Sequence, residues 1–232
     1  SRGLGDVYKR PLGKFTPDWT GGISNTFSYR SLSLSFLIDA SVGGSIFSNT
    51  NKTGKYTGVL ANTLSGRDAE HGGLWYYTDA MGNNVRLPES PSYSVSSDGL
   101  YYAQVNGQST RVYQDGIMVE GVTESGSKNE EVVSAEKYYH RIYSIAEANV
   151  YDASYVKLRE VALSYRLPRL WTQKLHLQEA SVTLTGRNLW TIYKSVPNID
   201  PESALTTGNA QGVEAYSLPT TRSFGVNLSV KF

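Results

Sequence analysis

Cysteine is absent from this 232-residue chain, which excludes a disulfide scaffold, thiolate zinc sites and cysteine nucleophiles without naming a compartment. No run of about 18 apolar residues occurs, so no transmembrane helix is expected. That exclusion stops short of a transmembrane β-barrel, whose apolar residues alternate with polar ones. Neither sign of charge is in excess, with 22 Lys and Arg against 21 Asp and Glu scattered along the chain. The electrostatic footprint of a nucleic-acid or anionic-lipid partner is therefore missing from the overall balance. The chain opens at Ser1-Arg2-Gly3 with neither an initiator Met nor a charged-then-apolar signal, so it is expected to be a fragment of a longer product.

What is present favours strands. Strong helix formers are sparse, while 17 Tyr, 22 Gly and many Ser, Thr and Asn suit strands and loops. At the C-terminal end Phe224, Val226, Leu228, Val230 and Phe232 alternate with Ser223, Gly225, Asn227, Ser229 and Lys231. Nine such residues at about 3.3 Å each, tilted near 40°, rise roughly 23 Å, close to the apolar band of an outer-membrane barrel. From Leu32 to Ile46, Leu34, Phe36, Ile38, Ala40 and Val42 face away from Ser33, Ser35, Asp39 and Ser41, which predicts one 15-residue strand. A strand over Ala180–Trp190 sets Val182, Leu184 and Trp190 against Ser181, Thr183, Thr185 and Arg187, with Trp190 at an interfacial girdle. Over Tyr155–Leu167 the phase switches from Val156 and Leu158 to Val161, Leu163, Tyr165 and Leu167, predicting a β-bulge near Arg159-Glu160. Trp19–Tyr29 makes a fifth strand with Ile23 and Phe27 outward, weakened by Gly21 and Gly22. Leu34, Phe36, Ile38, Val182, Leu184, Phe224, Val226, Leu228 and Val230 are accordingly expected to face lipid.

The connections sort by length. Residues 1–18 lead in as an extracellular loop, 19–48 form a first hairpin, 49–153 a large outer insertion, 154–190 a second hairpin, 191–220 an outer loop and 221–232 the last strand. Both short connections then fall on one side and both long ones on the other, as in outer-membrane barrels. The insertion is too long to be structureless. Ser134 reads as the N-cap of a helix, with Glu136 suited to its dipole and Lys137 spoiling a capping box. Leu60 and Leu64 suggest another short helix, and Asp98-Gly99 and Gln114-Asp115-Gly116 read as turns. Five such strands cannot close a barrel, and an open edge in a bilayer costs several kcal/mol per unpaired group. The missing wall is expected from upstream sequence or a separate chain.

Four stretches in order resemble the C-terminal part of the SusC/RagA-like TonB-dependent outer-membrane transporters of Bacteroidetes. They are Pro17-Asp18-Trp19-Thr20-Gly21-Gly22, then Tyr155-Val156-Lys157-Leu158-Arg159-Glu160-Val161 with Ser164-Tyr165-Arg166-Leu167-Pro168, then Gly186-Arg187-Asn188-Leu189-Trp190-Thr191 with Asp200-Pro201-Glu202, and Thr221-Arg222-Ser223 leading to Phe232. The stretches Asp115–Val122 and Val133–Tyr139 are similar to that family too. The resemblance implies an all-β fold, an antiparallel transmembrane barrel of about 22 strands with a plug and long extracellular loops holding short helices. It also implies TonB coupling, a SusD-like surface lipoprotein as lid, and oligosaccharides or peptides as cargo. Against the family this chain lacks the plug, the TonB-contacting segment and most strands, and Lys9-Arg10-Pro11-Leu12-Gly13 lacks the acidic turn expected before Pro17-Asp18-Trp19. The piece alone is not expected to transport.

Residue chemistry adds no enzyme. His71, His140 and His176 are far apart and without partners at metal-ligand spacing, so they read as loop residues, and no metal or cofactor is expected. Glu130-Glu131 suits a helix dipole better than an acid/base pair, and Gly43-Gly44 and Gly72-Gly73 lack the strand-to-helix setting of a phosphate loop. Trp75, Tyr76, Tyr77, Tyr93, Tyr101 and Tyr102 concentrate in the large loop, where rings with polar tips either stack on substrate or lid or hold the loop to itself. Phe232 resembles the terminal signal for outer-membrane assembly. Two other readings stand beside the importer: a soluble β-sandwich carbohydrate-binding module, which needs its apolar faces sealed together, and a passive porin.

Overall fold

The computed structural model describes residues 10–123, 125–174, 176–206, 208 and 210–232. The opening residues and the first half of the 1–18 segment, including Lys9, lie outside the described residues. Two compact units form, one from residues 1–50 with 150–232 and one from Asn51–Asn149. Antiparallel sheets with few helices dominate both, as the alternation requires.

The first unit is built on a five-stranded sheet. With strands numbered in chain order, it holds β1 (Trp19–Tyr29), β2 (Leu32–Val42), β11 (Tyr155–Arg166), β12 (Glu179–Lys194) and β14 (Ser223–Lys231), ordered β1-β2-β11-β12-β14 and antiparallel throughout. β1 and β2 are joined by the two residues Arg30 and Ser31, with Arg30 at φ 53°. Gly21 and Gly22 do not break β1, because the Trp19 indole folds over Gly21 and occupies the space a side chain would take. The bulge falls at Arg159, where pairing steps from Leu158 to Glu160 against both β2 and β12. On β12 the same step skips Leu189 and Asn188, the latter at φ 52°.

Two strand boundaries differ from expectation. Leu32–Ile46 is not one strand: Gly43 and Gly44, at φ 78° and 82°, turn the chain after Val42, and β3 (Ser45–Ser48) joins a second sheet. There it pairs antiparallel with β10 (Val150–Asp152) and parallel with β13 (Val213–Glu214). The turn also takes Ile46 off the wall and buries it against Val196 and Ile199. β12 runs to Lys194 rather than stopping at Trp190, since its partner β11 continues to Tyr155 opposite Lys194.

In the second unit β4 (Leu74–Thr78), β5 (Asn84–Arg86), β6 (Tyr93–Val95), β7 (Tyr101–Val105) and β8 (Gln108–Ile117) order as β5-β4-β8-β7-β6, with β9 (Val133–Ser134) paired to β8. Its interior is Trp75, Ala103 and Val112, with Tyr77, Leu87, Tyr101 and Val105 packed around. Gln114-Asp115-Gly116 is not a turn; it continues β8, with Gly116 opposite both Leu74 and Ser134. A Cβ at Gly116 would collide with the Leu74 carbonyl, so strand proximity and not chain reversal explains that glycine. Asp98-Gly99 does turn, with Gly99 at φ 79°.

Helix α2 (Ala135–Ser144) starts as expected, the Ser134 hydroxyl accepting from the Lys137 amide at 3.3 Å. Its last turn carries Arg141, which suits the negative end of the dipole. His140 therefore lies in a helix, not a loop. Between Leu60 and Leu64 there is only a single 3-10 turn, Ala61–Thr63. Helix α1 (Asn49–Thr57) was not anticipated, being poor in helix formers and without an acidic residue in its first turn. A third helix, α3 (Arg169–Lys174), spans six residues between β11 and β12.

Candidate functional site

Direct cross-strand partners share a face, so register sorts the wall side chains without further assumption. One row reads Tyr29, Leu32, Tyr165, Val182, Leu228; the next reads Phe27, Leu34, Leu163, Leu184, Val226. Above them lie Asn25, Phe36, Val161, Gly186 and Phe224, then Ile23, Ile38, Leu158 and Trp190. Ala180 and Val230 pair below. All nine residues expected to face lipid thus stand on one face of one sheet.

That face is bare. Phe224 is 80% exposed, Val226 73%, Leu228 65%, Ile23 66% and Leu184 52%. A contiguous apolar surface of this kind marks contact with lipid or another partner. Its height from Tyr29 to Trp19, ten steps along a tilted strand, is about 25 Å.

The opposite face is polar and bonded to itself. Ser28 meets Ser33 at 2.8 Å, Thr183 donates to Ser164 at 2.9 Å, and Arg187 Nε donates to Glu160 at 2.8 Å. Toward the end carrying the long connections it gathers charge. Lys157 Nζ donates to Asp200 Oδ1 and Glu202 Oε2, both at 2.6 Å, with its side chain only 4% exposed. Arg159 reaches Asp39 in a two-pronged contact of 2.7 and 3.0 Å and also donates to Glu202. The Tyr155 hydroxyl donates to Glu202 at 2.9 Å, and the Thr220 hydroxyl donates to Asp200.

Two cations thus answer three carboxylates, and each anion has more than one donor or a bidentate one, the condition under which buried ion pairs hold. Burial alone would raise the Asp200 carboxyl; hydrogen bonds from Lys157, Thr220 and the Glu202 amide outweigh it and bring it to about 2. Glu202 is lowered too, burial being outweighed by Arg159, Lys157 and Tyr155. The chemistry is a clamp: β11 supplies the cations, and residues 200 and 202 bring the 195–222 connection onto the polar face. Lys157 and Arg159 share that face as residues two apart do, and the bulge at Arg159 lets the adjacent Glu160 project there as well, where it meets Arg187.

A second buried anion fixes the other end of the same connection. Glu214, fully buried, accepts from the hydroxyls of Ser48 at 2.8 Å and Thr50 at 2.6 Å and from the backbone amides of Thr50 and Ser217. It supplies the negative charge that the first turn of α1 lacks, from a position distant in sequence.

Of the six aromatic residues singled out in the large loop, two are interior. Trp75 is 7% and Tyr76 4% exposed. Trp75 stacks on Tyr93 at 5.1 Å and meets Tyr101 edge-on at 5.7 Å, while Tyr76 stacks on Tyr113 at 5.1 Å and donates to Asp115 at 3.2 Å. Tyr77, Tyr101 and Tyr102 are half-buried, and Tyr93 is 48% exposed. Phe232 is exposed just beyond β14. His71 bonds to Asp68, His140 stacks on Tyr56 at 4.1 Å, and His176 sits in a turn at φ 56°. Among the described residues no group of three His, Asp or Glu is arranged to hold a metal.

The clamp was missed at the sequence level even though its parts were in view, as the Lys157-Leu158-Arg159 and Asp200-Pro201-Glu202 stretches. The available signal was alternation itself, which sets Asp39 and Lys157 on a polar face where a lone charge would need a partner.

An antiparallel sheet with one bare apolar face and one polar, charge-clamped face defines the class, a wall element rather than a closed globular domain. No protein-family model matches the chain. It is 24% identical over 230 residues to TonB-dependent receptor P3 of Formosa agariphila, an alignment spanning 97% of this chain and 17% of that receptor. In structure it is similar to the RagAB peptide importer in its open-open state (TM-score 0.44, 17% identity, 94% of this chain and 17% of that one) and its closed-closed state (TM-score 0.47, 17% identity, 98% and 19%). The chain is thus similar over nearly its whole length to part of a TonB-dependent receptor, and it spans about a sixth of that receptor's length.

Proposed function

We propose that this chain forms wall strands and extracellular loops of a SusC-like, TonB-dependent importer in the outer membrane. The bare face turns to lipid, the polar face to the lumen, and both sheet edges continue into barrel strands supplied from elsewhere. Connections 49–153 and 191–220 lie outside, where a SusD-like lipoprotein lid would meet them. The cargo is an oligosaccharide or a peptide, the second being what the RagAB importer carries by its name. Tyr93 and Tyr102 are the aromatic candidates for contact with cargo or lid, since Trp75 and Tyr76 are buried. Phe232 serves the assembly machinery.

The observation that carries this reading is the set of largely apolar cross-strand rows, interrupted at Asn25, on which Ile23, Leu184, Phe224, Val226 and Leu228 stand exposed. A carbohydrate-binding sandwich would have sealed that face against a second sheet. A passive porin shares the wall geometry, and the homology to a TonB-dependent receptor favours the energised transporter. In the full-length protein, Leu228→Arg should impair outer-membrane assembly, because a lipid-facing Arg near midplane costs about 2–4 kcal/mol, while Asn227→Lys on the lumen face should assemble normally. Equal assembly of both variants, measured as folded protein in outer-membrane fractions, rejects the assignment of faces.

A further inference from the structure

The overall charge balance hides a local imbalance. At the end of the sheet with the short turns, the stretches 29–33, 166–179 and 228–232 carry Arg30, Arg166, Arg169, Lys174 and Lys231 against a single acid, Glu179. Glu179 is held by Arg166 at 2.9 Å, with both side chains well exposed. Arg30, Arg169, Lys174 and Lys231 are exposed, with Arg30 over the Tyr29 ring and Lys231 opposite Glu179 across the strand pair.

The same end exposes large apolar groups that the sheet does not use. Leu170 is 73% and Trp171 58% exposed on α3, while Tyr29 is 71% and Phe232 82% exposed. α3 is not loosely tethered. Thr172, only 2% exposed, donates its hydroxyl to the Arg169 carbonyl, and its own carbonyl accepts from Leu177. Gln178 then donates to Lys231 at 2.8 Å, tying the turn to the end of β14. The chain fixes the back of this helix and leaves a Leu-Trp pair outward between Arg169 and Lys174.

We infer that the 166–179 turn is a membrane-surface anchor that seats Leu170 and Trp171 at the interface and binds anionic phospholipid headgroups through Arg169 and Lys174. The inference rests on the wall reading above and extends its apolar face by one turn. Two features commit it to lipid. The turn continues directly from the row ending at Tyr165, and indole, aliphatic and basic side chains together are what an anionic bilayer interface accepts. The headgroups belong to the leaflet on the short-turn side, where clustered Lys and Arg are attracted within a Debye length of the surface.

The test places an environment-sensitive label at Leu170→Cys or Leu228→Cys in a cysteine-free background of the full-length transporter. The labelled protein goes into phosphatidylethanolamine vesicles with or without a minor fraction of cardiolipin, and nitroxide lipids report depth. The Leu170 label should be quenched best by a headgroup nitroxide. Arg169→Gln with Lys174→Gln should lower that quenching several-fold in cardiolipin vesicles, with little change in their absence. A Leu170 label reached by water and by neither nitroxide, or one shielded from both by protein, overturns the anchor. Quenching indifferent to cardiolipin and to the two Gln substitutions overturns its headgroup assignment. A Leu228 label untouched by a nitroxide deep in the acyl chain fails the wall reading itself, whereas quenching at Leu228 without quenching at Leu170 fails only the anchor.

Discussion

The two units use the same residues in opposite ways. In the wall sheet Phe224, Val226 and Leu228 lie bare and no interior forms between strands; in the Asn51–Asn149 unit Trp75 and Val112 are enclosed, and aromatic rings stack on one another. Apolar content does not separate them, but order does. Alternation along strands of nine to sixteen residues, shifted once by the bulge, makes a two-faced surface whose apolar side must find a non-aqueous neighbour. Short strands of three to ten residues with clustered rings close on themselves in water. The proposed solvent of each unit can therefore be tested through the response to truncation.

The largest contrast should come from removing one ring. Trp75→Ala deletes the side chain about which Tyr93 and Tyr101 pack, and should destabilise the second unit's sheet by about 3–5 kcal/mol. Hydrogen exchange across β4, β7 and β8 should accelerate by about a hundredfold or more, since each 1.4 kcal/mol is a factor of ten. Leu184→Ala, at a lipid-facing position in the proposed wall, leaves no enclosed cavity and should change wall exchange little. Similar losses at both sites would erase the distinction between them.

A comparable effect is expected at the clamp, where the wall does bury something. Lys157→Ala leaves Asp200 and Glu202 facing each other without their shared cation, and breaking such a buried pair costs about 3–5 kcal/mol. Protease sensitivity of the 195–222 connection should rise while the five strands stay assembled. Acid should act at the same place. The Asp200 carboxyl is depressed from 3.8 to about 2, so its contribution is complete above the unfolded value and is lost as pH falls from about 4 through 2. Release of the connection between pH 4 and 7 instead would point to a different group. Salt should weaken the clamp less than the exposed Arg166 and Glu179 pair, because only the latter is open to screening.

Alternation made the wall legible, since a period of two is local and needs no knowledge of neighbours. The bulge at Arg159 was readable for the same reason, as a change of phase. Other features were present but not taken up. Asn106-Gly107 joins Val105 to Gln108 with both residues at positive φ, as a type I′ hairpin turn requires, and is a strong short-range signal. Gly43-Gly44 lies inside the single strand that alternation predicts over Leu32–Ile46; the pair of left-handed residues ends β2, which alternation on either side does not reveal. The start of α1 was not legible at all. Its stabilising carboxylate, Glu214, comes from over 160 residues away, so nothing near Asn49 marks it. The clamp is the same case, because its pairing depends on how the 195–222 connection returns to the wall.

The smallest test bears on the one helix that local chemistry does explain. Ser134 accepts from the Lys137 amide, and no Glu or Gln stands at Lys137 to complete the reciprocal bond, so the hydroxyl carries the cap unaided. Ser134→Ala should cost about 1 kcal/mol and raise exchange in the first turn of α2 severalfold, while Ser134→Asp should be neutral or better because a carboxylate caps and also suits the dipole. The Ala variant should leave the five-stranded sheet untouched, since residue 134 belongs to the other compact unit. If Ser134→Ala instead lowered the yield of assembled barrel as far as Leu228→Arg does, folding of the loop unit would be a precondition for inserting the wall. The two units would then have to be treated as one cooperative body.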